Sequence, residues 1–321
     1  MANIKIYLKN FLQSIKRFYP KNHTSNTKYK LEKNQIYPQG KSFFLKSLEN
    51  EILNTFKKHS FNLNKNISSI GTCFAEEFAL FLYNSKFRYE IFEKNRFMFQ
   101  SNWGRVYTPK NLQQIIKYSI LKDFEIFTAN GKKGFFDPVR DYSCGYYNSK
   151  DELIKNIKIH RKISKQVFLN TEFLFITLGQ TEGWIDKKNN FMWGTAPVSM
   201  DNFYGDRKDF ELKDFSINEI SEDLNFSLET LKQFNNKIKI FLTLSPVPSH
   251  STFGEKNVIV SSSVGKAKLR VIIDQAVKNF SDVEYFPSYE NVILDNSNFQ
   301  VDNRHVKTLK KYEIFKVFDQ I

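Results

Sequence analysis

Apolar runs alternate with amphipathic stretches along most of the chain. Ile67-Ser68-Ser69-Ile70 is a short strand-like run that stops at Gly71, and a helical pattern opens at Phe74 and reaches about Tyr83. Tyr89 to Phe92 reads as a short strand. Thr108 and Pro109 supply an N-cap and a first-turn proline for a helix through Leu121. Residues 123–148, rich in glycine and aromatics, read as irregular, and Asp151 to about Ser164 as a helix. Phe173-Leu174-Phe175-Ile176-Thr177-Leu178 has the continuous apolar character of a strand buried on both faces, and it ends at Gly179. Residues 183–214 form a long aromatic and polar insertion, followed by a helix over Ile217 to about Phe234. Ile238 to Leu244 is another strand, stopped by Pro246 and Pro248. A helix over Val264 to Asn279, a short strand at Val283 to Phe286 and a helix from Lys307 to Ile321 close the chain. Strands alternating with helices predict an α/β fold whose parallel sheet is covered on both faces.

The start of the chain is different. Ile4, Leu8, Phe11, Leu12, Ile15 and Phe18 recur at helical spacing with Lys5, Lys9, Lys16 and Arg17 around them, and Pro20 ends the segment. Such a basic amphipathic stretch packs on the protein or a partner, or makes weak contact with an anionic membrane surface through residues 1–19. Residues 20–42 are polar and lysine-rich and read as a linker, so the expected division is 1–42 and 43–321. The net charge of +14 is concentrated there: the first 65 residues hold 13 Lys/Arg against 3 Asp/Glu, a net of +10. The body therefore lacks a basic surface for nucleic acid, and no such partner is expected. No run of about 18 apolar residues is present, and Lys5 and Lys9 interrupt any signal-peptide core, which points to the cytoplasm. Two cysteines make no disulfide framework and five scattered histidines have no zinc spacing, so neither metal nor cofactor is implied.

Candidate chemistry collects at strand ends. Glycine at a strand-to-helix junction permits a sharp turn, and a thiol there sits at a helix N-terminus, where orphan N–H groups and the helix dipole favour a thiolate or an oxyanion. Gly71-Thr72-Cys73 is such a junction. In a parallel sheet its neighbours at one edge are Gly179-Gln180-Thr181-Glu182 and Ser245-Pro246-Val247-Pro248. Asn102-Trp103-Gly104 is a fourth turn, and Asp302-Asn303-Arg304-His305 a fifth segment, in which Asp302 is spaced to fix the tautomer and orientation of His305. Each has a plainer reading: Cys73 as a small buried hydrophobe, Gly104 as a turn glycine, His305 as a surface residue, Glu182 as a cap rather than an acid behind the site. His250 is the rival base, and Thr72 the rival nucleophile. Trp184, Trp193 and Tyr204 line a groove or belong to the core, and Cys144 reads as structural.

Gly71-Thr72-Cys73-Phe74-Ala75-Glu76 resembles the signature of the GSCFA family, with Thr72 where that family usually has serine. Gly104-Arg105-Val106-Tyr107-Thr108-Pro109, the run Thr177 to Trp184, Leu242 to Pro248, Gly265 to Arg270 and Tyr285 to Glu290 are similar to further blocks of the family, in order. The family resembles a branch of the SGNH/GDSL hydrolases, which implies a three-layer α/β/α, flavodoxin-like fold. By that frame Cys73 stands at the nucleophile position, Asp302 and His305 at the final Asp-x-x-His pair, and Gly104 at one oxyanion position. The third block offers Gln180 or Thr181 where an asparagine is usual. The resemblance thus implies an esterase or O-acyltransferase acting on an ester, such as that of an acylated carbohydrate. The alternative is a degenerate scaffold that binds a glycan or acyl ligand without turnover.

Overall fold

The computed structural model describes residues 41–121, 125–197 and 205–321. The amphipathic segment at residues 1–19, the linker up to residue 40 and Tyr204 lie outside these. The chain divides into two compact units, Met1–Glu49 and Asn50–Ile321. The helix α1, Lys41–Lys58, crosses that boundary, and everything below concerns the second unit.

Four parallel strands form its central sheet: β1 (Ile67–Gly71), β4 (Phe173–Leu178), β8 (Lys239–Leu244) and β9 (Val283–Tyr285), in the order β1-β4-β8-β9. The register places Gly71 beside Thr177 and Leu178 beside Leu244, which aligns the carboxyl ends of the three long strands. Side chains alternate between faces, and the two faces differ. Phe173, Phe175 and Phe241 meet Phe56, Phe61, Phe78 and Phe318 in a nearly all-phenylalanine layer. This layer involves α2 (Cys73–Tyr83) and the chain end, where α8 (Thr308–Phe315) runs into a short 3-10 turn at Lys316–Gln320. The alternate positions Leu174, Ile176, Ile240 and Leu242 are fully buried on the other side, the side covered by α3 (Pro109–Ile120), α4 (Lys150–Asn170), α5 (Ile217–Phe234) and α6 (Val258–Asn279). This unit is thus a parallel sheet covered on both faces, as the pattern predicted, and the three-layer α/β/α, flavodoxin-like fold that the resemblance implied.

The Thr108 cap acts where the sequence placed it, and a second cap, on α5, was not read from the sequence. Thr108 accepts from Asn111 N (3.0 Å) ahead of Pro109, and Ser216 and Glu219 form a capping box on α5. Other boundaries differ. α4 continues to Asn170, because its buried stripe Leu153, Ile157, His160, Ser164, Val167, Phe168 persists beyond Ser164. α6 opens at Val258, capped by Asn257, six residues before the apolar pattern does. A one-turn helix, α7 (Ser288–Ile293), gave no periodicity at that length.

Three regions correct the sequence reading. Tyr89–Phe92 is not a strand. Its backbone is taken by a loop that Asn95 organises: the Asn95 side-chain Oδ1 accepts from Phe97 N and Phe99 N, and Phe92 N donates to Gln100 O (2.9 Å). The irregular stretch contains a hairpin, β2 (Ala129–Gly131) with β3 (Gly134–Phe136). The insertion holds an antiparallel sheet of β6 (Phe191–Met192), β5 (Glu182–Asp186) and β7 (Phe210–Asp214). Its second, small core of Trp184, Phe191, Trp193, Phe210, Phe136 and Val139 absorbs the aromatic excess.

Candidate functional site

The turns after β1, β4 and β8 touch. Gly71 has φ +144°, and a Cβ there would lie 2.3 Å from Thr177 O, so only glycine lets β1 end against β4 and turn. Gly179 has no room for a side chain either: a Cβ would meet Thr72 Cγ2 at 2.7 Å and Ser245 Cβ at 3.6 Å. Thr72, Gly179 and Ser245 therefore form one contact at the sheet edge. Above it lies a cleft of about 420 Å³, lined by Thr72 and Cys73, by Gly179, Gln180 and Glu182, by the 245–251 loop and by Arg304. Trp184 and Trp193 from the small sheet also line it, as does Tyr107.

Thr72 is the N-cap of α2: its hydroxyl accepts from Phe74 N (3.2 Å). Cys73 is the next residue, at the first helical position, with its N–H among the orphan donors of that turn. Burial pushes the Cys73 thiol up, Arg105 and Arg304 pull it down, Glu76 pushes it up and Lys266 pulls it down, and the net direction is upward. The helix N-terminus thus does not by itself deliver a resting thiolate. Arg105 donates to Glu76 through Nε (2.9 Å) and Nη2 (2.7 Å) and lies over the Phe97 ring. Burial, then the charge of Cys73, pushes the Tyr107 phenol to about 12.

Asp302 and His305 are brought together as their spacing predicted. Asn303, at φ +53°, closes the turn, and the Asp302 carboxylate pairs with His305 Nδ1 and accepts from Arg304 N and His305 N (3.0 Å each). These bonds hold the Asp302 carboxyl far below its usual range. His305 is half-exposed and is not itself among the lining residues of the cleft; its Nε2 lies 2.7 Å from Arg304 Nη1. His250, the rival base, does line the cleft.

The remaining expected residues fall into supporting positions. Gly104, at φ +71°, stands against the Asp141–Cys144 turn, where a Cβ would come within 2.8 Å of Cys144 Sγ. Burial raises the Cys144 thiol strongly. Asn102 donates to Cys144 O (2.8 Å), and its N–H donates to Glu93 (3.0 Å). Gln180 N donates to Tyr107 O (3.0 Å), while its side chain lines the cleft. Thr181 donates to Asp214 (2.8 Å). Glu182 accepts from Thr252 Oγ1 (2.5 Å) and Phe253 N (3.0 Å), which pins the loop that carries His250. Neither Gly71, Asn102, Gly104 nor Thr181 lines the cleft.

A family model for the GSCFA family matches residues 66–318, from the first strand to the last turn. The chain belongs to the GSCFA family. The match takes in the stretch Gly71-Thr72-Cys73-Phe74-Ala75, of which Thr72 and Cys73 line the cleft. No curated protein matches the chain. Among the described residues no helix is long and apolar enough to cross a membrane, and no cluster of three His, Cys, Asp or Glu could hold a metal ion.

Three residues that line the cleft were not singled out by sequence reasoning: Arg105, Tyr107 and Arg304. All three sit inside blocks already noticed, next to the residues that drew attention, and Lys266, which does not line the cleft, lies in the noticed block Gly265 to Arg270. Lys266 had a signal of its own. It stands on the buried stripe of α6 formed by Ser262, Gly265, Leu269, Ile272 and Ile273, where a lysine is out of place.

Proposed function

We propose that this GSCFA protein is an SGNH-like esterase or O-acyltransferase with Cys73 as nucleophile. The observation that carries the reading is the meeting of three strand-end turns at Gly179, with Cys73 at the open end of α2 facing an aromatic-walled cleft. In the proposed reaction Cys73 Sγ bonds to the ester carbonyl carbon, and its proton passes to His305, oriented by Asp302. The orphan N–H groups of the first turn of α2 receive the oxyanion. The C–O bond then breaks, and the leaving alkoxide takes the proton from His305. Water or an acceptor hydroxyl then bonds to the thioester carbon and gives its proton to His305; the C–S bond breaks, and the leaving Cys73 thiolate takes that proton from His305, which frees the acid or the new ester. His305 Nε2 is free for this only when Arg304 turns away from it, so substrate entry and base release are coupled in the proposal. Trp184 and Trp193 are among the lining residues, and aromatic side chains at a cleft wall suit a carbohydrate ester. The test is release of acid from model acetyl esters by wild type and Cys73→Ala; equal rates end the proposal.

A second reading is favoured by one observation: the Cys73 thiol is raised and the His305 nitrogen is already engaged. This describes a binding module that holds a glycan or acyl ligand without turnover. Rapid alkylation of Cys73 near neutral pH, faster than that of Cys144, favours the enzyme; equally slow alkylation favours the module.

A further inference from the structure

α6 has two apolar faces. Its inner face, which includes Leu269, Ile272, Ile273 and Ala276, is buried against the molecule. Val260, Val264, Ala267 and Val271 fall on the opposite side of the same helix, in a sector about 60° wide at about 100° per residue. All four are exposed, Val260 by 53 %, Val264 by 40 % and Val271 by 46 %, so no described element buries this seam. Helix formation does not call for valine there: a β-branched side chain has a lower helix propensity than lysine or glutamate. A helix that is apolar on both faces is one that is buried on both. The spacing of four, three and four residues is that of a coiled-coil seam. Ion pairs border it on both sides, Lys268 with Asp214 (2.9 Å) and Arg270 with Glu290 (3.1 Å). An apolar strip within a rim of balanced charge is the anatomy of a protein interface, whereas an anionic membrane would meet Asp214, Glu290 and Asp274. Beyond Val271 the seam continues through Asp274 and Lys278, which pair with each other (2.6 Å), and before Val260 stands the exposed Lys256. These charges select an orientation. Two copies of α6 laid parallel set Asp274 against Asp274 and Lys256 against Lys256. Laid antiparallel about a two-fold axis between Val264 and Ala267, they set Val260 against Val271, Val264 against Ala267, and Lys256 against Asp274.

We infer that the outer face of α6 is an interaction surface for a second copy of this chain. The seams of two copies pack antiparallel into a symmetric dimer, with Lys256 of each copy beside Asp274 of the other. The contact is a single helix pair with about 16 Å of apolar seam, at the small and weak end of protein interfaces.

Sedimentation velocity of the full chain over roughly 1–100 µM tests this. Wild type is expected to pass from monomer to dimer within that range. Val264→Glu, at an exposed position that leaves the core untouched, should weaken association by about a hundredfold or more, because the two-fold axis applies the substitution twice. Val264→Leu should keep the dimer. Lys256→Glu and Asp274→Lys should each weaken it, and the double variant should recover most of the loss. Thermal melting followed by circular dichroism establishes that each variant folds; if Val264→Glu does not, the charge exchange decides. A wild type that stays monomeric at the highest concentration, a dimer undiminished in Val264→Glu, or a double variant no better than its two singles overturns the inference. So does a monomer that binds anionic phospholipid vesicles and loses that binding in Val264→Glu, which assigns the face to a membrane.

Discussion

Beneath the cleft, a buried polar network makes a prediction with a definite size. Glu93 accepts from His160 Nδ1 (2.7 Å), Ser101 Oγ (2.9 Å) and Asn102 N (3.0 Å), while Arg140 donates to Asp137 (2.8 Å) and Asn102 O (3.0 Å). It thereby ties the Asn102-Trp103-Gly104 strap to α4. Burial, with the Arg140 charge adding to it, lowers His160 from 6.5 to about 4 in spite of Glu93. The sign follows from the depressed value. Below 6.5 the unfolded chain binds a proton at this histidine and the folded chain does not, so stability falls as pH drops from 6.5 toward 4. Linkage over the two values gives a loss of about 2 kcal/mol between about pH 7.5 and pH 5. Urea unfolding of wild type and His160→Gln at the two pH values measures it. The variant is expected to be less stable at pH 7.5, by about 1–3 kcal/mol for the lost buried hydrogen bonds, and to lose most of the pH difference, so that the gap to wild type closes at pH 5. A wild type equally stable at both pH values, or a His160→Gln drop as large as that of wild type, refutes the assignment of His160 as a buried neutral imidazole.

Three further outcomes follow from the site. Gly71→Ala should cost about 3 kcal/mol or more in thermal or urea unfolding, since strain at φ +144° adds to a Cβ 2.3 Å from Thr177 O; a loss under about 1 kcal/mol contradicts the argument. Glu76→Gln removes a carboxylate that raises the Cys73 thiol and frees Arg105, so the midpoint of the pH profile of Cys73 alkylation should fall; a rise contradicts it. Glu182→Gln should loosen the 249–254 loop by about 1.5–3 kcal/mol, the worth of charged hydrogen bonds to Thr252 and Phe253. Faster hydrogen exchange at Phe253 and Gly254, with β4 unchanged, is the expected readout, and unchanged exchange there refutes it.

The central sheet was legible because its strands are buried on both faces and read as unbroken apolar runs bounded by glycine or proline, as at Phe173 to Gly179. The turn chemistry was legible for the same reason: Gly71 and Gly179 mark the places where backbone and neighbour leave no space for a Cβ. The small sheet was not. β5, β6 and β7 are short, antiparallel and half polar, and their aromatic residues serve a local core that periodicity over a few residues cannot reveal. Tyr89–Phe92 misled because apolar side chains anchor a loop whose hydrogen bonds come from Asn95 and Glu93 rather than from a neighbouring strand. Within the site, Asp302 and His305 were found by spacing, whereas Arg304 between them was passed over because its neighbours carried the familiar pattern. Outside the cleft lining, Lys266 in the block Gly265 to Arg270 was passed over in the same way. A lone lysine in an apolar helical stripe is a buried charge that demands a partner, and that demand was present in the order of residues alone.

The central claim is that Cys73 carries the reaction of the cleft, and trapping the acyl-enzyme tests it most directly. Wild type mixed with a model acetyl ester and quenched in acid should carry one acyl group, on the peptide containing Cys73, lost on treatment with neutral hydroxylamine and absent from Cys73→Ala. Turnover accompanied by an acyl group on another residue, or undiminished in Cys73→Ala, would contradict the account.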